Sequence, residues 1–322
     1  MAEGIELSSG SSVEVDWQDA WQRARETIAG VTRRRVRGGT SDVEIALLDW
    51  GGDGDLVLLH HANGFCGATL APIANALRDR YRVVTIDARG HGDSTSLPPK
   101  GDPNPYDWSR LAADLRAAVH EILEFTGRGR VELAIGHSFG GALLLDSAQQ
   151  EPALFGKLLL CDPVIVESAM PAANGSGPRG PDLALGARKR RDRFPTRAEA
   201  FAHFRSRGLF ANFTREASAL YVAEGIGPTP EGDFALKCRP AVEAAIFSSA
   251  ALTDLFAGAD KITAEVSFLH ARRGSFSRER YDALAGRMKS ARVESIDVGH
   301  LFPLEEPERV LHAVDESLQP GK

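Results

Sequence analysis

The sequence predicts an α/β fold, a mostly parallel doubly wound sheet that carries an inserted helical segment. Three observations lead there. Apolar five-residue runs alternate with stretches of helical period, and one run enters a helix through the turn Gly136-His137-Ser138-Phe139-Gly140. The alternation stops after Pro163 and resumes at Val266. Strands covered on both faces read as continuous apolar runs, and strand–helix alternation builds right-handed parallel units.

The elements follow in order. Residues 1–15 are rich in Gly and Ser and are expected to be mobile; Asp16 to Ala29 then places Trp17, Trp21, Ala24 and Ile28 on one helical face. Val43 to Trp50 reads as a strand that ends at Gly51-Gly52-Asp53-Gly54. Leu56 to His60 is a buried strand, Ala71 to Arg80 a helix, and Arg82 to Ile86 a second buried strand. Ser109 to Phe125 sets Leu111, Leu115, Val119 and Ile122 on one face, with Gly127 as its stop. Val131 to Ile135 is the strand before the glycine-flanked turn, and Lys157 to Cys161 is another. About 70 residues of helical period with no clear strand then follow a Gly/Pro/Ala-rich stretch at 171–187. Strands return at Val266 to His270 and Val293 to Asp297, and a helix with Val310, Leu311, Val314 and Leu318 closes the chain. The expected organisation is an N-terminal extension and short helix (1–30), a core (31–163 and 256–322) and a helical cap (164–255).

Composition narrows the function classes. The 322 residues are 43% hydrophobic and 25% charged with a formal net charge of −6, so no global positive field favours nucleic acid or an anionic membrane. Two local basic runs, Arg33 to Arg37 and Arg188 to Arg193, read as solvated faces. Cys66, Cys161 and Cys238 are too few and scattered for a disulfide framework or a metal site. Met1 to Ser12 has no basic and apolar signal-peptide pattern, and no run of about 18 apolar residues occurs. The expectation is a cytoplasmic protein with no metal or cofactor, acting on a small molecule. The sequence does not encode its oligomeric state.

Four motifs then carry a resemblance. Leu58-Leu59-His60-His61-Ala62-Asn63-Gly64-Phe65 resembles a strand followed by an H-G-x loop, and Asp87-Ala88-Arg89-Gly90-His91-Gly92-Asp93-Ser94 a D-x-R-G-x-G-x-S segment. Gly136 to Gly140 fits G-x-S-x-G between strand and helix, and Val298-Gly299-His300 a late G-H. In that order they resemble the α/β-hydrolase fold over residues 40–163 and 260–318, with the insertion as its cap.

A serine hydroxyl needs a base within hydrogen-bond reach, so Ser138 as nucleophile requires a histidine. His300, in its Gly-His loop after an apolar strand, is the candidate, with His270 as rival. The resemblance implies an acid after the penultimate strand, yet His270 to Ser277 contains no carboxylate. Asp162, after the strand that follows the nucleophile helix, is the preferred acid; Glu167 and Glu279 are the alternatives. The oxyanion donors implied are the backbone N–H groups of Phe139 and of Asn63, with Ala62 as the other register because histidine is doubled. Cys66 and Cys161 read as small buried hydrophobes.

Together these imply a serine hydrolase of a carboxylic ester or lactone. A C–C bond hydrolase or amidase with the same triad stays open. So does a protein of another class, a small-molecule receptor that retains a slow hydrolase site, and turnover separates the two.

Overall fold

The structure is a computed structural model and describes residues 10–96, 104–165, 180–249, 254–274 and 276–318. The first nine residues of the expected mobile start lie outside that set, as does part of the Gly/Pro/Ala-rich stretch.

Eight strands form the main sheet: β1 (Thr32–Arg37), β2 (Glu44–Gly51), β3 (Leu56–His60), β4 (Arg82–Ile86), β5 (Val131–His137), β6 (Phe155–Cys161), β10 (Glu265–Arg273) and β11 (Ala291–Gly299). Their spatial order is β1-β2-β4-β3-β5-β6-β10-β11. The pairs of β2 with β1 and β4 are antiparallel, and every pair from β4 to β11 is parallel. The first basic run is the edge strand β1, whose arginines alternate outward around the buried Val36.

The continuous apolar runs are explained by two cores, one on each face. In β3, Val57 and Leu59 join a core with Ile73 and Leu77 of α2 (Ala71–Leu77) and Val310 and Val314 of α11 (Pro307–Leu318). Leu56 and Leu58 point the other way, to Leu111 and Leu115 of α3 (Trp108–Thr126) and Leu144 of α4 (Phe139–Gln150). The two-residue period of a strand thus spends every side chain on a core. Each such side chain contributes about 1.5–3 kcal/mol relative to exposure. Helix α3 starts at the N-cap Asp107, whose side chain accepts from Ser109 N, and stops at Gly127 in the left-handed conformation, φ 65°.

Between β6 and β10 lie α5 (Gly180–Arg188), α6 (Arg197–Arg205), α7 (Arg215–Glu224) and α8 (Pro240–Ser249). The insertion also holds a small antiparallel sheet that the helical period hid, β7 (Arg193–Phe194), β9 (Phe234–Leu236) and β8 (Ile226–Pro228) in that order. Strands of two or three residues are too short to show an alternation. Helix α1 (Gly10–Thr27) packs on the insertion, with the Trp17 ring 5.3 Å from that of Phe201. The chain closes through α9 (Arg278–Ala285), α10 (Phe302–Glu305) and α11.

Because β3, β5, β6 and β11 run parallel, their carboxyl ends open on one edge of the sheet. The segments holding Asn63, Ser138, Asp162 and His300 all begin there. In open α/β sheets this edge is where ligands bind.

Candidate active site

Ser138 stands between β5 and α4 with φ 54° and ψ −116°, a conformation L-residues rarely adopt. Neighbouring backbone holds it there. Its N–H donates to Cys161 O at 3.0 Å, and its carbonyl accepts from Ala142 N and Val164 N at 3.2 and 3.1 Å. The flanking glycines are steric requirements. A Cβ on Gly136 would lie 2.6 Å from Gly141 Cα, and one on Gly140 would lie 2.6 Å from His61 O. Helix α4 can therefore approach β3 and β5 only with glycine at both places, and the Ser138 hydroxyl projects at the sheet edge.

His300 follows β11. Its Nε2 lies 2.9 Å from Ser138 Oγ, and its Nδ1 lies 2.6 Å from Asp162 Oδ2. Asp162 follows β6 with φ 41°, and its N–H donates to Leu269 O on β10 at 2.9 Å. Its carboxylate is fully buried, and Oδ1 accepts from Ala271 N at 3.1 Å and from the Tyr281 hydroxyl at 2.9 Å. Burial would raise its pKa, but the His300 contact, with the Ala271 and Tyr281 bonds, outweighs burial and holds it below the usual carboxylate value. An ionised Asp162 accepting from Nδ1–H leaves the unprotonated Nε2 facing the serine, the tautomer a general base needs.

The alternatives stand elsewhere. Both ring nitrogens of His270 are engaged, Nδ1 with Ser295 Oγ at 2.9 Å and Nε2 with Phe276 O at 3.0 Å. Glu279 is exposed on α9, and Glu167 lies outside the described residues. The sites of Cys66 and Cys161 are apolar, and burial pushes both thiols above the usual value, so neither supplies a thiolate.

The loop after β3 is tied down by the segment from Asp87 to Ser94. Gly64 N–H donates to His91 Nε2 at 3.0 Å, Gly67 N–H to Asp87 Oδ1 at 2.7 Å, and Ala88 N–H to His61 Nε2 at 3.0 Å. The remaining nitrogen of His61 donates to Ala62 O at 2.7 Å, and His60 Nδ1 donates to His61 O at 3.0 Å. The doubled histidine is thus a pair of neutral braces. Burial first, with neighbouring histidines, pushes His60 down to about 3 and His61 well below the usual value. Arg89 anchors the whole segment through a buried bidentate pair with Asp114 at 2.7 and 2.8 Å. The Asn63 side chain donates to Glu243 O on α8 at 3.1 Å, fastening the loop to the insertion.

Three contributors escaped sequence reasoning. Tyr281 fixes the carboxylate of Asp162. His137 Nε2 donates to His300 O at 2.9 Å. Gly274 lies so close that a Cβ there would stand 2.4 Å from Asp162 Oδ2. The only signal for Gly274 was the missing carboxylate after β10, since a residue with a side chain could not occupy its place. Among the described residues no cluster of His, Cys, Asp and Glu is arranged to hold a metal, and no helix is long and apolar enough to cross a membrane.

Over 132 residues the chain is 33% identical to protein phosphatase methylesterase 1 of Neurospora crassa, covering 34% of this chain and 29% of that protein. Over 109 residues it is 35% identical to a putative carbamate hydrolase RutD of Variovorax paradoxus, covering 34% and 38%. Over 146 residues it is 31% identical to the type I acyl-CoA thioesterase mpaH of Penicillium brevicompactum, covering 44% and 33%. The chain thus spans about a third of the length of these relatives. Among solved structures, E-2-(acetamidomethylene)succinate hydrolase superposes with a TM-score of 0.71 at 18% identity, over 90% of this chain and 100% of that one. The thioesterase domain from the curacin biosynthetic pathway gives 0.70 at 18% identity, over 89% and 99%. Both share the fold. The profile of the alpha/beta hydrolase family matches residues 56–313, and the chain belongs to that family.

Proposed function

We propose that this hydrolase cleaves a small-molecule carboxylic ester or lactone through an acyl-enzyme on Ser138. One observation carries the reading, the continuous hydrogen-bonded path from Ser138 Oγ through His300 to the buried carboxylate of Asp162. Ser138 Oγ attacks the carbonyl while its proton passes to His300 Nε2, and Asp162 stabilises the imidazolium through Nδ1–H. The developing oxyanion lies against the backbone N–H groups of Phe139 and Asn63, neither of which has an intramolecular partner among the described residues. The leaving alcohol takes the Nε2 proton. Water then gives a proton to Nε2 as it attacks the acyl carbon, and that proton passes to Ser138 Oγ as the carboxylic acid leaves. The insertion at 164–255 acts as the cap, joined to the Asn63 loop through Glu243.

Ester cleavage is favoured over the other reactions of this triad because two of the relatives named above, a methylesterase and a thioesterase, are acyl-transfer hydrolases by name. The test is steady-state hydrolysis of p-nitrophenyl butyrate by the wild type and by Ser138→Ala. The variant should lose at least about 10³-fold in kcat, as removal of a nucleophile does. Equal turnover by the two proteins would refute the assignment.

A further inference from the structure

Helix α8 of the insertion bears on both residues whose N–H groups face the oxyanion in the proposed reaction. The carbonyl of Glu243 accepts from the Asn63 side chain at 3.1 Å, and one turn further on the carbonyl of Ile246 accepts from Trp108 Nε1 at 2.8 Å. The Trp108 ring stands edge-on to that of Phe139, with centroids 5.2 Å apart. One helix therefore holds the Asn63 loop directly and reaches Phe139 through a single indole. It also packs on the segment that braces this loop, where a Cβ on Gly90 would lie 2.6 Å from Val242 Cγ1.

The side chain of Glu243 adds a second hold. Glu243 is buried and its carboxylate pairs with the half-buried Arg190, whose Nη2 donates to the Tyr221 hydroxyl on α7 at 2.6 Å. This pair lies against the backbone of Gly64, the neighbour of Asn63. A Cβ on Gly64 would stand 2.8 Å from Glu243 Oε1 and 3.1 Å from Arg190 Nη1. A charge pair taken out of water is a poor source of stability, because both ions lose hydration, yet its directional bonds admit few arrangements. Set on one glycine, such a pair fixes where that stretch of backbone can stand.

We infer that Arg190 and Glu243 are positioning residues for the reaction: they clamp Gly64 beneath α8 and so keep the N–H of Asn63 aimed at the developing oxyanion. The inference rests on the hydrolase reading above, and it goes further by giving the insertion a part in the chemistry. Each residue acts through the Asn63 loop and not on the reacting atoms. A donor stabilises the transition state only if it is already in place when charge develops, so a loop that wanders costs rate even when its N–H is intact.

The test compares p-nitrophenyl butyrate with its thionoester, O-(4-nitrophenyl) thiobutyrate, in which sulfur replaces the carbonyl oxygen. Sulfur accepts hydrogen bonds weakly, so the ratio of the two kcat values reports how well the oxyanion donors are aimed. The double variant Arg190→Met/Glu243→Gln removes both charges together and leaves no unpaired ion in the interior. It should lower kcat for the oxygen ester about tenfold with KM held and spare the thionoester, a fraction of the about 10²–10³ lost with a whole oxyanion donor. Arg190→Lys keeps the charge pair without the two-pronged contact to Glu243 and Tyr221. Its ratio should fall by less, and it carries the comparison alone if the double variant does not fold. A merely structural pair would slow both substrates alike, so an unchanged ratio in the folded variants overturns the inference and leaves the hydrolase reading in place. Absence of wild-type turnover of both esters would count against the hydrolase reading, and amide hydrogen exchange of the peptide spanning 61–66 then decides. Faster exchange there in the variants, with the rest of the core unchanged, supports the clamp, and equal exchange overturns it.

Discussion

The hydroxyl of Tyr281 donates to Asp162 Oδ1 at 2.9 Å, leaving Oδ2 free to accept from His300 Nδ1 at 2.6 Å. One carboxylate oxygen of Asp162 is thus held by Tyr281 and the other by His300. Asp162→Asn should lower kcat by about 10⁴-fold, because an amide nitrogen facing Nδ1 reverses the imidazole tautomer. Tyr281→Phe should cost about 1.5–3 kcal/mol of stability through the lost bond to a charged group, with a kcat loss of only about two- to tenfold. Urea melts and p-nitrophenyl butyrate kinetics on both variants check the separation. A Tyr281→Phe protein as inactive as Asp162→Asn would mean that Tyr281 itself acts in the reaction.

Gly274→Ala probes the same carboxylate from the other side. Its Cβ would stand 2.4 Å from Oδ2 and 2.9 Å from Ala271 O, so the carboxylate must turn away from His300. A displacement of that size should lower kcat about 10²-fold in a folded protein. Gly129→Ala, where a Cβ meets nothing within 4 Å, is the control and should behave as wild type.

His137→Phe removes the donor to His300 O and leaves that carbonyl unpaired in a half-buried setting. The cost should be about 1–3 kcal/mol, with kcat falling and KM held, since the loop that carries His300 loosens. His137→Gln, which keeps a donor, should recover part of the loss. An equal effect of both substitutions on KM would place His137 in substrate binding instead.

Stability should fall in mild acid. Burial lowers the pKa of His60 and His137 to about 3 and that of His91 to about 4, with His61 also well below the usual value. Below about pH 6.5 the unfolded chain protonates these histidines and the folded one does not, so their contribution is present above that pH and is lost as pH falls. Asp87, raised to about 6 by its burial, opposes one of the four by taking up a proton in the folded state. The net difference of about three protons gives a slope on the order of 4 kcal/mol per pH unit around pH 5. Urea denaturation at pH 7.5, 6 and 5 measures it, and a flat profile would show that the histidines are protonated in the fold.

Much of the candidate site could be read from the chain because its chemistry sits in short local patterns. Ser138 lies in a turn whose glycines are dictated by α4 packing on β3. His300 and Asp162 each follow a strand of the parallel part of the sheet, β11 and β6, so parallel pairing alone brings them to one edge. What was not legible depends on distant packing. Tyr281 meets Asp162 from 119 residues away, and Gly274 is defined by what cannot fit beside it. The basic run at Arg188 to Arg193 read as a solvated face, yet Arg190 is drawn under Tyr221 and Glu243 by helices a linear reading cannot place. The three strands of the insertion were hidden by their length, with β7 only two residues long.

The most direct measurement of the central claim is peptide mapping by mass spectrometry after reaction with a fluorophosphonate. The expected result is a single phosphonyl adduct on Ser138, abolished in Ser138→Ala and strongly slowed in His300→Ala and Asp162→Asn. An adduct on another residue, or undiminished labelling of Ser138→Ala, would contradict it.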